Sequence, residues 1–423
     1  MKKIDFEGLD ISCYNDKLDN GLELFLIPYP SKKNYFMSYG VKFGSETTTF
    51  TPCGEKKEIT VPKGIAHFLE HKMFEQEDGI DPFKYFAESG TGANAFTSFD
   101  QTQYICYGTK NFNENLKYLL KYVNSPYYTD ENVEKEKGII AEELNMYDDM
   151  PEWQVESKLR EGLYQKHPRR VDIGGTVPEI MKITKEDLYT CYNNFYVPSN
   201  MFLLLVGNFD KDEALGIIKE SLNEVTKKDM AKAKKLVEPK EVTVKENVVY
   251  GNVTVPKVAI GLKIPVDNLK GYDDLMLDLY LQMAATLIYG TSSLFREKAR
   301  NKKLFSSFYG DSEQIEGFKV FYAVVSTNDP DEFIKDFKAE LKNIKIDEEA
   351  FNRMKKVWIA NEVKLFDFVD NIASNVADDI IRYGKVIPNK LEIFRKMNLK
   401  DLNDIISKID FDNVTVLKYL CKK

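Results

Sequence analysis

The segment GIAHFLEHKMFE, residues 64–75, carries three side chains that could hold and use a metal ion. His67 and His71 are four residues apart, and Glu70 lies between them. On a helix with about 100° per residue, the three side chains fall within an arc of about 100°. Two imidazoles can then bind one Zn²⁺, and the carboxylate can act as general base on a zinc-activated water.

Histidines on amphipathic helices are often ordinary surface or core residues, so the spacing alone is weak evidence. The composition strengthens it, because the 423-residue chain contains only three histidines. Two of them flank a glutamate in this spacing, which is rare by chance. The third, His167, precedes Pro168 in KHPRR and is predicted to lie in a loop beside a turn.

A catalytic zinc site usually has three protein ligands and one open position, so this site needs a third ligand. No further histidine is well placed, which leaves a carboxylate. A helix predicted over residues 130–147 offers five glutamates, namely Glu131, Glu134, Glu136, Glu142 and Glu143. Glu136 and Glu143 are seven residues apart and share one face of that helix. The pattern alone does not choose between Glu142 and Glu143.

The elements that would position these residues follow from the surrounding pattern. A helix is predicted from Gly64 to about Glu75, with Ala66, Phe68 and Leu69 on its buried face. Strands are predicted over residues 21–30, 34–43, 93–99, 102–108 and 201–208. Further helices are predicted over residues 82–88, 113–124, 152–166, 184–195 and 210–224.

The second half of the chain repeats the order of the first. Phe83 corresponds to Phe295 and Phe96 to Phe308, and two longer segments also recur in the same order, which indicates an internal duplication. The mixture of elements predicts an α+β fold with antiparallel sheets and helices on one face. The predicted boundaries are a catalytic N-terminal domain over 1–228, a linker over 229–241 and a homologous non-catalytic domain over 242–423.

The composition excludes several classes of protein. With 43% hydrophobic and 30% charged residues, the chain is an ordinary globular protein. The net charge of −8 disfavours nucleic-acid binding, which needs a basic face. We expect no membrane association, because no apolar stretch reaches the length of a transmembrane helix. The five cysteines are scattered without a C-x-x-C pair, and no signal peptide is evident, so we expect a cytoplasmic protein.

The motif HFLEH, followed by EKGIIAEE on the helix downstream, resembles the inverzincin zinc metallopeptidases, which include pitrilysin, insulysin and the mitochondrial processing peptidase. In that family, the second of two glutamates seven residues apart is the third zinc ligand and the first supports the site. The resemblance therefore implies that Glu143 is a ligand, that Glu136 has a supporting catalytic role, and that each chain binds one Zn²⁺.

Two other segments extend the resemblance. The stretch TGANAFTSFDQTQY is similar to the family's edge strand, which implies that Asn94, Ala95, Phe96 and Thr97 bind a substrate peptide. The family's second half often supplies an arginine and a tyrosine near the zinc. Here the segment is FREKARNKKLFSSFYG, which departs from the family pattern at the tyrosine position, and the candidates are Arg300 and Tyr309.

The resemblance also implies an architecture and an activity. The fold would be of the LuxS/processing-peptidase-like metallohydrolase type, with two homologous domains forming a clamshell. The expected activity is zinc-dependent endopeptidase cleavage of peptides or unfolded polypeptides inside a chamber formed by a homodimer, or by a heterodimer with a related chain. The alternative is a non-catalytic or partner-dependent peptide-binding subunit. The second half has no H-x-x-E-H, so we expect only the first half to be catalytic.

Overall fold

The structure, a computed structural model, describes residues 1–269 and 271–422. Its residues form two compact units. The first unit comprises Met1–Leu144, Val171–Lys235 and Glu362–Lys390. The second unit comprises Asn145–Arg170, Leu236–Asn361 and the chain from Leu391 onward. Each unit therefore includes one segment from the opposite half of the chain: Glu362–Lys390 belongs to the first unit and Asn145–Arg170 to the second. The predicted boundaries of 1–228 and 242–423 follow chain order and do not include this exchange of segments.

The first unit is built on a sheet of seven strands in the order β1-β2-β3-β9-β4-β8-β7. A small sheet in the same unit has the order β10-β5-β6. The strands are β1 Lys2–Asp5, β2 Ser12–Lys17, β3 Glu23–Pro28, β4 Tyr35–Val41, β5 Thr49–Thr51, β6 Ile59–Thr60, β7 Gly92–Thr97, β8 Thr102–Gly108, β9 Met201–Gly207 and β10 Lys232–Ala233.

The second unit is built on a sheet of five strands in the order β11-β15-β12-β14-β13. These strands are β11 Glu246–Gly251, β12 Lys257–Pro265, β13 Ser307–Ile315, β14 Phe318–Ser326 and β15 Val414–Cys421. The order and the strand directions match those of β3-β9-β4-β8-β7 in the first unit. The expected α+β fold with two homologous domains is confirmed.

The expectation of antiparallel sheets is wrong at one strand pair in each unit. Strands β3 and β9 pair in parallel, as do β11 and β15, whereas the neighbouring pairs are antiparallel. A parallel pair needs a long crossover between its strands, and here most of a domain separates β3 from β9 along the chain. Local patterns along the sequence do not reveal such distant pairs.

Fifteen helices lie in the part of the chain that the structure describes. In the first half these are α1 Ile65–Lys72, α2 Pro82–Glu88, α3 Phe112–Val123, α4 Asp130–Asp148, α5 Pro151–Leu163, α6 Val177–Ile180, α7 Lys185–Phe195 and α8 Lys211–Ser221. In the second half they are α9 Asp274–Tyr289, α10 Leu294–Asn301, α11 Pro330–Lys342, α12 Glu348–Leu365, α13 Val369–Tyr383, α14 Lys390–Lys396 and α15 Leu399–Ser407. None of the described helices is long and apolar enough to cross a membrane.

The seven-stranded and the five-stranded sheet each carry helices on two faces, which corrects the expectation of helices on one face. In the first unit, Leu203 and Leu205 of β9 point into a core that includes α1 and α3, whereas Phe202 and Leu204 point to the opposite face. Helix α13 covers that opposite face with an apolar stripe that includes Val369. The second unit shows the same arrangement, with α5 covering the outer face of β12 and β15.

Candidate metal centre

Helix α1 is fixed by its first turn and by its buried face. It begins after Gly64, whose φ of 87° is in the left-handed region that favours glycine. A Cβ at this position would lie 2.2 Å from the carbonyl oxygen of Gly174. The side chains of Ala66, Phe68 and Leu69 are fully buried in the core, as the sequence predicted. The opposite side of α1 therefore presents the histidines.

Helix α4 turns one of its two adjacent glutamates toward those histidines. Val133, Ile140 and Leu144 form its buried stripe, spaced as expected for a helix packed along one side. Glu142 is exposed, whereas Glu143 is half-buried and faces α1. Of these two neighbours, between which the sequence pattern does not choose, Glu143 is the one whose side chain lies near the histidines.

The side chains of His67, His71 and Glu143 converge, and their potential ligand atoms lie within 4.8 Å of one another. The Nε2 atoms of His67 and His71 lie 4.0 Å and 3.7 Å from the two carboxylate oxygens of Glu143. Tetrahedral zinc, with bonds of about 2.0–2.2 Å, needs neighbouring ligand atoms about 3.4 Å apart. The residues therefore fit a zinc ion with small movements and leave a fourth position open.

The surroundings shift the pKa values of the two histidines in opposite directions. Burial of His67, together with the neighbouring His71, lowers the pKa of His67 to about 4, so this ring keeps a free lone pair at neutral pH. Its Nδ1 is buried without a hydrogen-bond partner in the described structure. Burial disfavours a charged His71, but the hydrogen bond with Glu136 and the nearby carboxylates outweigh burial and raise its pKa.

Glu136 supports His71 from behind. Its Oε1 lies 3.1 Å from Nδ1 of His71, which can donate a hydrogen bond to it and so turn Nε2 toward Glu143. Burial raises the pKa of Glu136, but the hydrogen bond with His71 and the charges of His71 and Lys72 hold it below its ordinary value. Lys72 is fully buried, although the sequence pattern alone does not mark it as an interior residue.

Glu70 is buried beside the cluster, and Thr97 orients it. The Thr97 hydroxyl donates a hydrogen bond of 2.7 Å to Oε2 of Glu70. Burial raises the pKa of Glu70, and the hydrogen bond with Thr97 partly opposes that rise. A general base works best when its pKa lies near the working pH. Burial moves the pKa of Glu70 toward neutral pH, and the hydrogen bond from Thr97 limits that rise. Thr97, expected to contact a substrate, also contacts the candidate base.

The strand that carries Thr97 is at the edge of its sheet. Strand β7 pairs with β8 and is the last strand in the order, so its other side is open to an added strand. Asn94 and Phe96 are exposed, whereas Ala95 and Thr97 are half-buried. Main-chain groups along an open edge can bind an extended peptide as a further strand.

The remaining candidates lie in the second unit. Arg300 is exposed near the end of α10, and Tyr309 is 53% exposed on the edge strand β13. The assignment of these two residues stays a prediction. His167 follows α5, where its Nδ1 accepts a hydrogen bond from the backbone of Arg169 and its ring lies 5.5 Å from that of Tyr164. It belongs to a different unit from the three converging residues.

The sequence matches the models of one peptidase family over much of its length. Residues 47–177 match insulinase, peptidase family M16, and residues 182–357 match the peptidase M16 inactive domain. The uncharacterized zinc protease YmfH of Bacillus subtilis is 35% identical over 434 residues, and the match covers all of both chains. The chain belongs to the M16 peptidase family. The resemblance to pitrilysin-type peptidases is confirmed.

Solved structures of M16 peptidases share this fold. An M16-like peptidase from Alicyclobacillus acidocaldarius has a TM-score of 0.91 and 30% identity, with 98% of this chain and 99% of that chain covered. Pitrilysin has a TM-score of 0.77 and 16% identity, with 99% of this chain and 46% of that chain covered. At that identity, the likeness to pitrilysin concerns the fold alone. The M16 match to residues 47–177 contains all of the converging residues.

Proposed function

We propose that this chain is a zinc-dependent endopeptidase that cleaves peptides or unfolded polypeptide segments. One observation carries the proposal: two imidazoles and a carboxylate converge within 4.8 Å, while a buried glutamate lies on the same helix as the imidazoles. A structural zinc site would use all four positions, whereas three ligands leave room for a reacting group. The names of the M16 relatives as zinc proteases support the same activity.

The residues of the chain would divide the work as follows. His67, His71 and Glu143 would hold the zinc ion, which supplies a Lewis acid to polarise the scissile carbonyl. Glu70 takes a proton from the attacking water at a carboxylate oxygen and returns it to the leaving amine. Glu136 would accept a hydrogen bond from Nδ1–H of His71 and so keep Nε2 free for the metal.

The open edge of β7 supports an extended peptide as the substrate. Hydrogen bonds from its main chain would align the substrate without reading most side chains, so we expect modest sequence preference. A folded protein has few free strands to offer, which favours peptides and unfolded segments. Enclosure of the site between two such chains, as the family resemblance implies, is a further proposal that the native mass of the isolated protein would test.

Three variants of the full chain test the activity and separate the roles. Glu70→Gln should keep the zinc content but lower kcat by about 10²–10⁴-fold, because it removes the general base. Glu143→Gln should lower zinc affinity by more than the about 10- to 100-fold that is typical of an outer-shell change. Glu142→Gln is the matched control, because its side chain is the exposed neighbour on the same helix.

The measurements are zinc content by mass spectrometry and cleavage of an unstructured fluorogenic peptide. Full activity in Glu70→Gln would show that Glu70 is not the general base. Unchanged zinc affinity in Glu143→Gln would place the third ligand elsewhere. If the wild-type chain binds zinc through these residues but cleaves no peptide, the proposed activity of the chain alone is wrong. A partner-dependent subunit then becomes the better description.

A further inference from the structure

Lys72 is an unusual residue to find in the interior. It directly follows His71 in the sequence, and its side chain is 0% exposed. Lysine is almost never fully buried unless its ammonium is paired, because taking an unpaired charge out of water is costly. At other buried positions of α1 the residues are apolar, as Phe68 and Leu69 show. An apolar side chain at position 72 would be buried without the cost of a charge. The contacts of this ammonium therefore need an explanation.

The Lys72 ammonium has three partners. It forms an ion pair with Glu75 and donates a hydrogen bond of 3.2 Å to the backbone oxygen of Asn132. Its third contact is with Oε2 of Glu136, at 3.7 Å. The other oxygen of the same carboxylate, Oε1, lies 3.1 Å from Nδ1 of His71. Glu136 thus stands between the buried ammonium and a candidate metal ligand.

We propose that Lys72 is a positioning residue of the metal centre: by holding one oxygen of Glu136, it fixes the other against His71 and so strengthens zinc binding. This inference rests on the proposed zinc site. A carboxylate with one free oxygen can rotate, whereas one held at both oxygens presents a fixed acceptor to the imidazole. Supports of this kind orient metal-ligating histidines and affect metal affinity.

Two effects of Lys72 on a metal ion have opposite signs. Its positive charge repels a cation, which would weaken binding, whereas its hold on Glu136 orients His71, which strengthens binding. The ion pair between Lys72 and Glu75 makes the repulsion the smaller effect. The pair has no net charge, so its repulsion of a metal ion falls off quickly with distance. The positioning effect therefore dominates, and loss of Lys72 should weaken zinc binding.

The test compares Lys72→Met with Lys137→Met in the full-length protein. Lys137 is a matched control, because it is also buried and pairs with a carboxylate three residues away, Glu134, whereas its ammonium forms no ion pair with Glu136 in the described part of the chain. Zinc dissociation constants are measured by competition with a chelator. We expect Lys72→Met to weaken zinc binding by about 10- to 100-fold and Lys137→Met to leave it nearly unchanged.

The Glu136→Gln background separates positioning from a general effect on folding. If Lys72 acts through Glu136, adding Lys72→Met to Glu136→Gln should weaken zinc binding little further. Equal losses in both backgrounds, tighter binding in Lys72→Met, or equal effects of the two lysine variants would each overturn the inference. If Lys72→Met does not fold, Lys72→Gln replaces it, since its amide can still donate to Asn132 but carries no charge.

The outcome is distinguishable from failure of the proposed function. If the wild-type chain binds no zinc that depends on Glu143, the proposed function fails first and the inference fails with it. If the wild type binds zinc and cleaves peptides while Lys72→Met binds zinc normally, only the role of Lys72 is wrong.

Discussion

A buried ion pair in the second unit allows a sharp test of stability. The Lys319 ammonium on β14 and the Asp278 carboxylate on α9 are 0% and 1% exposed and pair directly. The side-chain amide of Gln282 donates a hydrogen bond of 2.8 Å to the second oxygen of Asp278. Asp278→Asn keeps the shape of the side chain but removes the negative charge that pairs with the buried ammonium.

The expected cost of Asp278→Asn follows from the burial of the pair. Removing one partner of a buried pair typically costs about 3–5 kcal/mol, because the other charge stays in the interior without compensation. A domain has a free energy of unfolding of only about 5–15 kcal/mol, so this loss is a large fraction of it. Asp336→Asn is the control, since its ion pair with Lys302 is partly exposed, with 52% of the lysine and 27% of the aspartate side chain accessible, and we expect it to cost about 1 kcal/mol or less.

Urea unfolding of the full chain, followed by circular dichroism, measures these losses. If unfolding occurs in stages, the transition that Asp278→Asn shifts is the one in which all variants are compared. The double variant Asp278→Leu with Lys319→Met should cost less than Asp278→Asn alone, because it leaves no unpaired charge. A loss below 1 kcal/mol in Asp278→Asn, or a larger loss in the double variant, would refute the reasoning.

Two further predictions concern the first unit. Thr97→Val should lower kcat/KM for an unstructured peptide by about 10-fold or more, since a hydrogen bond to a charged group contributes about 1.5–3 kcal/mol. Thr97→Ser keeps the hydroxyl and should keep most of the activity. Equal rates in the two variants would contradict the role of the hydroxyl. Gly64→Ala should lower the free energy of unfolding by more than about 2 kcal/mol, because the left-handed backbone alone costs about 1–2 kcal/mol and the new Cβ would meet the oxygen of Gly174. Gly79→Ala is the matched control in the same urea experiment, since its φ is also positive but no atom lies within 4 Å of the added Cβ.

Local signals in the sequence were sufficient for many individual elements. The predicted limits of helix α2, residues 82–88, agree with the observed ones, and the structure shows the local cause at its start: Asp81 accepts a hydrogen bond from the backbone of Phe83, and Pro82 is the first helical residue. Its C-terminal end is marked by Gly90, whose positive φ suits a chain that leaves a helix. These signals act within a few residues, so a single sequence carries them.

The partners of elements distant in the chain were beyond the same reasoning. The stripe Val369, Ile372 and Val376 identifies α13 as an amphipathic helix but does not say which sheet it covers. The same limit applies within the metal centre. Glu142 and Glu143 differ by about 100° around the axis of α4, and only the packing of that helix decides which one faces the histidines.

Lys72 shows why a role can be missed even inside a recognised motif. In a sequence, a lysine next to a histidine pair is expected to be a solvated charge, because most lysines are exposed. Its burial depends on carboxylates at Glu75 and Glu136, the second of which lies on another helix. The residue therefore acquires its role only when α1 and α4 pack together.

The duplication gives a physical reason to expect one metal site per chain. Helix α9 packs against β13 and β14 as α1 packs against β7 and β8, and Asp278 and Gln282 have the four-residue spacing of the two histidines of α1. In the second unit, however, Asp278 pairs with the ammonium of Lys319. A cation supplied by the chain already compensates this carboxylate, so the second unit gains little from binding a metal there. Among the described residues, only the first unit brings three potential metal ligands together.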